Sequence, residues 1–464
     1  MYANPRFDAA LLRRYDRPGP RYTSYPTAPQ FTKAFGEAEL RDAAAASNGD
    51  PIPRRLSLYV HVPFCMSPCF YCGCNRIITR DLARGETYLV RLYREIAMMA
   101  ELFDRDREVI QLHFGGGTPN FLSPAQLADV VGTLRSHFHF SDARERDLSI
   151  ELDPRFISPA DVAELAAIGF NRASLGVQDF DPAVQEAVNR IQSVEQTVAV
   201  IDACRASGFR SVNVDLIYGL PKQNPAGFAR TLDTVVAARP DRLAVYSYAH
   251  LPEMFKAQRQ IDAADLPSAS GKLGLLQLAI EKLSTAGYRY IGMDHFALPE
   301  DELSRASDDG SLHRNFMGYT THAESDLIGF GVSAISHIGD SFSQNPRDLP
   351  TWEAAVDAGH RPLWRGLWLD ADDQLRADLI QQLMCRGRID VPELEERHSI
   401  HFAAYFADDL QRLQPLIEDG LALRDARAIR VTERGRLLLR VIAASFDRYL
   451  HRAQAEPIRF SKAI

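Results

Sequence analysis

Four cysteines, Cys65, Cys69, Cys72 and Cys74, fall in the stretch YVHVPFCMSPCFYCGCN. The first three are spaced C-x3-C-x2-C, and Gly73-Cys74-Asn75 follows directly. Three thiolates this close can hold three irons of a cubane 4Fe-4S cluster, whose usual complement is four protein ligands. The fourth iron is then left open to a small molecule. Structural zinc is the other chemistry available to four close cysteines. Zinc sites use two CxxC-like knuckles separated by a dozen or more residues, so that a tetrahedron can close around the ion. Here all four cysteines share one short loop and no second pair follows. A disulfide inside the loop would compete with a cluster. Cys204 and Cys385 stand alone in helix-like segments, where small core residues belong.

The elements that carry this loop read as alternating strands and helices. Apolar runs occur at Leu56–Val62, Val109–Phe114, Leu148–Leu152, Arg172–Val177, Ser211–Leu216 and Arg242–Tyr246. Between the first two, Leu89, Leu92, Tyr93, Ile96, Ala100 and Phe103 recur with the period of a helix face. Ser123-Pro124 and Ser158-Pro159 each read as a cap followed by proline at the first helical position. Strands alternating with helices imply a parallel α/β sheet, and six units rather than eight imply a partial barrel open along one side. Each run ends in chemistry-bearing residues: the cysteine loop, Gly115-Gly116-Gly117-Thr118, Glu151, Gln178, Asp215 and Ser247-Tyr248-Ala249-His250. The carboxyl ends of parallel barrel strands form an active-site rim, so these residues are expected to converge on one mouth.

Three segments are expected: residues 1–55 over the barrel mouth, 56–362 as the barrel with its substrate-site extension, and 363–464 as a C-terminal unit. In the last, helices are expected over Asp372–Cys385, Val391–His398 and Phe402–Ile417. A hairpin over Gly420–Thr432 and a helix over Glu433–Phe446 follow. That order is winged-helix-like. A net charge of −8 with no basic recognition helix argues against a nucleic-acid role, leaving a lid or scaffold. No apolar run reaches the ~18 residues of a membrane span, and the N-terminus has no signal-peptide core, so a reducing cytoplasmic setting is expected.

The cysteine spacing resembles the signature of the radical S-adenosylmethionine (SAM) superfamily. Further stretches narrow the resemblance: RYTSYPTA from Arg21, HFGGGTPNFL, GVQDF, VDLIYGLPKQ, GMDHFA, HRNFMGYTTH and GVSAISHIGD. Together with the cysteine loop they resemble the oxygen-independent coproporphyrinogen III oxidase family, from about Arg21 to the C-terminus. The resemblance implies a partial (βα)6 radical SAM barrel and an enzyme that converts the ring A and ring B propionates of coproporphyrinogen III to vinyl groups. It implies that SAM on the open iron is split to a 5'-deoxyadenosyl radical that takes hydrogen from a propionate β-carbon. A protein side chain cannot supply so strong an abstractor, whereas a cofactor can.

Carried over residue by residue, the resemblance makes Cys65, Cys69 and Cys72 the cluster ligands and Cys74 a cysteine that does not ligate. Tyr59, Tyr71, Gly116 and Glu151 match contacts to the SAM on iron. Gly117, Thr118, Gln178, Arg190, Asp215, Ala249 and Ile335 match a second SAM site, so two SAM molecules are expected. Many superfamily members carry a glutamate after the glycine pair, where this chain has Gly117-Thr118. For the substrate's carboxylates, Arg21, Arg314 and Lys222 are candidates, with Tyr22, Tyr25, Tyr319 and His295 as neutral donors. The implied partners are the porphyrinogen and a reductase or flavodoxin-type electron donor, with no nucleic acid, no membrane span and a monomeric state. The competing reading is a haem chaperone of the same superfamily. Those relatives lack the N-terminal segment and read Asp-Phe after the third cysteine, where this chain has Gly-Cys-Asn.

Overall fold

Alternation along each strand builds the molecule. In β1 (Arg55–Val62), Leu58, Val60 and Val62 point to one face and are fully buried, while Ser57, Tyr59 and His61 point to the other. The same split recurs in β2 (Glu108–Gly116), β3 (Asp147–Leu152), β4 (Arg172–Gln178), β5 (Ser211–Tyr218) and β6 (Arg242–Ser247). Apolar residues such as Leu112, Ile150, Leu175 and Val214 face the helices, and each contributes about 1.5–3 kcal/mol by leaving water. Polar residues such as Gln111, Ser149, Ser174 and Asn213 face inward and line a shared cavity. The computed structural model describes residues 5–323 and 325–451; the extreme ends of the two outer segments lie outside the described residues.

The six strands pair parallel, each with the next in chain order, as the alternation of runs and helices predicts. The crossover helices are Ala83–Ala100, Pro124–His137, Pro159–Ile168, Val194–Ala206 and Pro225–Ala238. Ser123 and Ser158 cap as expected, their hydroxyls accepting from the backbone N–H of Gln126 and Asp161. The first helix starts at Ala83, six residues before Leu89, the first residue of its apolar face, because its opening turn is mostly exposed. The sheet also extends beyond the six units. Ser325–Phe330 pairs parallel with β1, followed by antiparallel Ile335–Ile338, Ser341–Gln344 and Arg365–Trp368. Beyond β6 lie His295–Ala297 and Arg289–Gly292. The sheet order ends in these two flanks and does not close into a ring.

The change of packing comes after Trp368 rather than at residue 362, since Arg365–Trp368 still belongs to the large sheet. A second core then gathers helices Ala371–Arg386, Val391–His398 and Ala407–Glu418 around Leu379, Leu383, Leu413 and Phe446. The expected hairpin is present as Ala422–Arg424 and Ala428–Val431, with Arg388–Asp390 as a third strand. The expected helix over Glu433–Phe446 is instead a 3-10 turn and a short helix, Leu439–Ala444. Gly435 sits against the Leu421 carbonyl, a contact no side chain would allow, so the chain turns there before it can coil. The N-terminal segment joins both cores: Leu11, Leu12, Tyr22 and Tyr25 enter the second, and Leu40, Ala43 and Ala44 the first. Among the described residues no helix is long and apolar enough to cross a membrane.

Candidate cluster and cofactor site

The cysteine loop leaves β1 through Phe64–Cys65, which pairs with Ile77–Ile78 and so closes the loop on itself. Backbone and side-chain bonds then fix it to the barrel rim. Phe70 N–H donates to the Val188 carbonyl, Asn189 to the Pro68 carbonyl, and Arg76 Nη2 to the Cys69 carbonyl at 3.0 Å. Gln258 Nε2 donates to both Tyr71 and Ala249 carbonyls, tying the end of β6 to the loop.

Cys65, Cys69 and Cys72 line a cavity of about 180 Å³ together with Tyr71, Gly116, Gly117, Thr118, Glu151, Gln178, Arg190 and Asp215. The strand ends do converge. The cysteines ring a cavity rather than a point: among the described residues no three His, Cys, Asp or Glu side chains meet as a single ion requires. Each of the three sulfurs receives a donor. Thr118 Oγ1 donates to Cys65 Sγ at 3.3 Å, Arg190 Nη1 and Arg155 Nη2 to Cys69 Sγ at 3.4 and 3.6 Å, and the Cys74 N–H to Cys72 Sγ at 3.4 Å. Such bonds favour thiolates. A hydrogen bond from Cys74 pulls the Cys72 thiol down to about 5, with burial opposing and the Arg76 charge assisting. Burial pushes Cys65 up to about 11.

Two acids and two unpartnered groups complete the cavity. Glu151 Oε2 accepts from Gly116 N–H at 3.2 Å. Asp215 accepts from Asn213 and Ser174, and burial, then the Glu151 charge, pushes its carboxyl up to about 7. Gln178 Oε1 and Arg190 Nε are buried without a hydrogen-bond partner, a state that costs about 1–3 kcal/mol per group unless a ligand supplies one. Arg190 is otherwise anchored, by Asp153 at 3.1 Å and the Gly176 carbonyl at 2.5 Å. A cationic amino-acid ligand with carboxylate and amine fits this set: carboxylates for its charge, a guanidinium and an amide for its polar ends.

Three expected site residues are not among those that line this cavity, although the Tyr59 ring borders Gly115 next to Glu151. Tyr59 turns its hydroxyl to His61 Nδ1 at 3.1 Å and stacks on His113. Ala249 is tied to the loop through its carbonyl by way of Gln258, and Ile335 begins the strand beyond Gly329, itself paired with Tyr59. Gly116 also carries a reason of its own. Its φ is +120°, and a Cβ there would strike the His61 ring at 2.7 Å. The glycine therefore accommodates His61.

A second cavity, of about 160 Å³, shares Glu151, Ser174 and Asp215 with the first and runs inward past Gln111, Ser149 and Asn213. Its wall holds Tyr246, His295 and Tyr319. Arg21 pairs with Asp294 and lies over Tyr246, and Arg314 stacks 4.7 Å from the centre of Tyr319. Lys222 is exposed, and its backbone N–H bonds the Asp265 carbonyl. Tyr22 and Tyr25 are not rim donors as expected. Their rings are buried in the second core, where Tyr22 Oη donates to Asp447 at 3.0 Å and Tyr25 Oη accepts from Arg448 N–H. Rings of that size gain more from burial than from hanging over a wet mouth.

The description of the radical SAM superfamily matches residues 59–235, and that of the HemN C-terminal domain matches residues 369–438. The chain is 51% identical over 463 residues to the oxygen-independent coproporphyrinogen III oxidase of Pseudomonas aeruginosa, covering 99% of each. It is 49% identical to that of Escherichia coli, covering 99% of this chain and 98% of the relative. The chain belongs to the oxygen-independent coproporphyrinogen III oxidase family. The solved structure of the Escherichia coli radical SAM coproporphyrinogen III oxidase, HemN, superposes with a TM-score of 0.92 at 48% identity, covering 97% of this chain and all of that one. A member of this family is a radical SAM oxidoreductase, with a 4Fe-4S cluster and SAM as its cofactors.

Within this family site, the sequence reading passed over His61, Asp153 and Arg155. His61 is buried between Tyr59 and the Asn75 carbonyl, which its Nε2 meets at 3.0 Å. Asp153 clamps both arginines that face Cys69. Their signal was the charged run Glu151-Leu-Asp-Pro-Arg155 at a strand's carboxyl end, where only Glu151 was singled out.

Proposed function

We propose that the protein converts the ring A and ring B propionates of coproporphyrinogen III to vinyl groups without molecular oxygen, giving protoporphyrinogen IX for haem synthesis. The observation that carries this reading is that the cofactor cavity and a second polar cavity share Glu151, Ser174 and Asp215 as lining. A reacting side arm in one then lies beside SAM in the other. The identity to named oxidases over almost the whole chain supports the substrate.

When bound, the cluster and SAM supply an electron and a hydrogen-abstracting adenosyl group. Cys65, Cys69 and Cys72 would hold the cluster through their three sulfurs, with SAM taking the place they leave free. Arg155, Arg190 and Thr118 donate to the ligand sulfurs and so tune the cluster's potential. Tyr59, Tyr71, Gly116 and Glu151 serve the SAM on iron. Gly117, Thr118, Gln178, Arg190, Asp215, Ala249 and Ile335 serve a second SAM. Glu151 and Asp215 place negative charge against a sulfonium, while Gln178 and Arg190 offer their unpartnered atoms to its amino-acid end. At the substrate, one hydrogen atom leaves the propionate β-carbon, the carboxylate departs as carbon dioxide, and the remaining electron passes to an acceptor. The donor that reduces the cluster is a reductase or flavodoxin-type protein, and the enzyme works as a cytoplasmic monomer.

The test is an anaerobic incubation of the reconstituted protein with SAM, a reductant and coproporphyrinogen III, followed by mass analysis. Divinyl product, carbon dioxide and 5'-deoxyadenosine are expected together. Nucleoside release without decarboxylation contradicts the substrate, and tight haem binding without turnover points to the chaperone reading.

A further inference from the structure

The second cavity carries charges of both signs, with Asp147 and Glu302 beside Arg172 and Arg242 in its lining. At the end it shares with the cofactor site stand Glu151 and Asp215. On its other wall His295 lies between Tyr246 and Tyr319, edge-on to both rings at 6.1 and 5.3 Å. Burial, then the charges of Arg314, Arg21 and Arg242, holds His295 neutral. Two of those charges are answered. Arg242 pairs with Asp301 and Glu302, and Arg21 pairs with Asp294. Arg314 is different. It is 5% exposed, and its Nε and Nη1 have no hydrogen-bond partner. His295 Nδ1 is also buried and unpartnered. The backbone behind Arg314 is fixed: it pairs with Tyr319 in a hairpin, its carbonyl accepts from Gln381, and Tyr319 Oη donates to the Met384 carbonyl. A buried guanidinium held this firmly without an anion is a strong carboxylate receptor, because guanidinium and carboxylate match in geometry.

Resting on the functional reading above, we propose that Arg314, with His295, binds a propionate carboxylate that the reaction retains, and so sets which propionates reach the cofactor. Loss of carbon dioxide strips negative charge from the carboxylate. A group clamped by Arg314 is stabilised in its charged ground state and resists that loss, so the receptor suits a propionate that survives. Arg314 stacks on Tyr319 in the wall of the cavity, whose 160 Å³ is well below the ~300–1,000 Å³ that encloses a drug-sized ligand. It takes a side arm while the macrocycle remains outside.

The experiment compares wild type, Arg314→Gln, Arg314→Lys and His295→Gln in steady-state turnover. Substrates are coproporphyrinogen III and analogues carrying a carboxamide in place of one or other retained propionate. For wild type, one analogue is expected to raise KM on the order of 100-fold with kcat little changed. Arg314→Gln should raise KM for the natural substrate by a similar factor and lose the preference for carboxylate over amide. Arg314→Lys should restore part of it, and His295→Gln should show a smaller rise. The proposal is overturned if wild type takes both analogues with unchanged KM. It is equally overturned if Arg314→Gln, with a cooperative melt and an intact cluster spectrum, keeps the carboxylate preference. Should Arg314→Gln not fold, the wild-type analogue result with His295→Gln and Arg314→Lys decides. Failure of wild type to convert coproporphyrinogen III contradicts the functional reading instead.

Discussion

Cys74 donates to a sulfur, whereas Cys65, Cys69 and Cys72 each receive a donor, and this asymmetry supports the three as the proposed ligands. Replacing any of the three by Ser should abolish the cluster's visible absorbance and turnover together. Cys74→Ser should retain the cluster, since the contact to Cys72 Sγ from residue 74 includes its backbone N–H. Iron content and absorbance of the purified variants check both. Asp215 gives a pH signature. Its carboxyl is raised to about 7, so it is neutral below that pH and anionic above it. Affinity for the cationic cofactor should therefore rise about tenfold from pH 6 to pH 8, and Asp215→Asn should flatten the rise. Binding isotherms with SAM measure it. A wild-type affinity that does not change with pH would remove Asp215 from the cofactor's surroundings.

Among the elements, the six parallel strands were legible because each combines an apolar face with a chemistry-bearing end, and those ends gave most of the cavity. The extra strands were not. His295–Ala297 and Ile335–Ile338 are three or four residues long, too short for any period to show, and their motifs read as sites rather than as sheet. His61 and Asp153 escaped for another reason: they act on neighbouring residues through the fold and not through spacing. Glu95 is a third such residue. Buried in helix Ala83–Ala100, it accepts from Gly331 N–H, Asn345 Nδ2 and Trp352 Nε1 and so pins the turn that follows Ser325–Phe330. Glu95→Ala strands those donors and should cost about 3 kcal/mol in chemical denaturation. Burial raises the Glu95 carboxyl to about 8. The folded state then keeps a proton that the unfolded chain releases near 4.5, so stability falls as pH rises from about 4.5 to about 8. Glu95→Gln should remove that part of the slope, and an unchanged slope would contradict it.

For the molecule as a whole, the N-terminal segment is a strap between two cores rather than a set of substrate ligands. Tyr22 and Tyr25 insert beside Asp447 and Arg448, and Thr32 bridges to Gly366 at the sheet's last strand. Tyr22→Phe leaves Asp447 without its buried donor and should cost about 1–3 kcal/mol while leaving KM for the porphyrinogen unchanged. Melting curves and kinetics on the same sample check this, and a raised KM at unaltered stability would return Tyr22 to the mouth. The whole arrangement serves the cluster and SAM, and the proposed three-cysteine ligation leaves one iron for SAM. Mössbauer spectra of the iron-57-reconstituted protein, with and without SAM, test that most directly. Three similar irons and one distinct iron whose parameters shift on adding SAM are predicted. Four equivalent irons indifferent to SAM would contradict it.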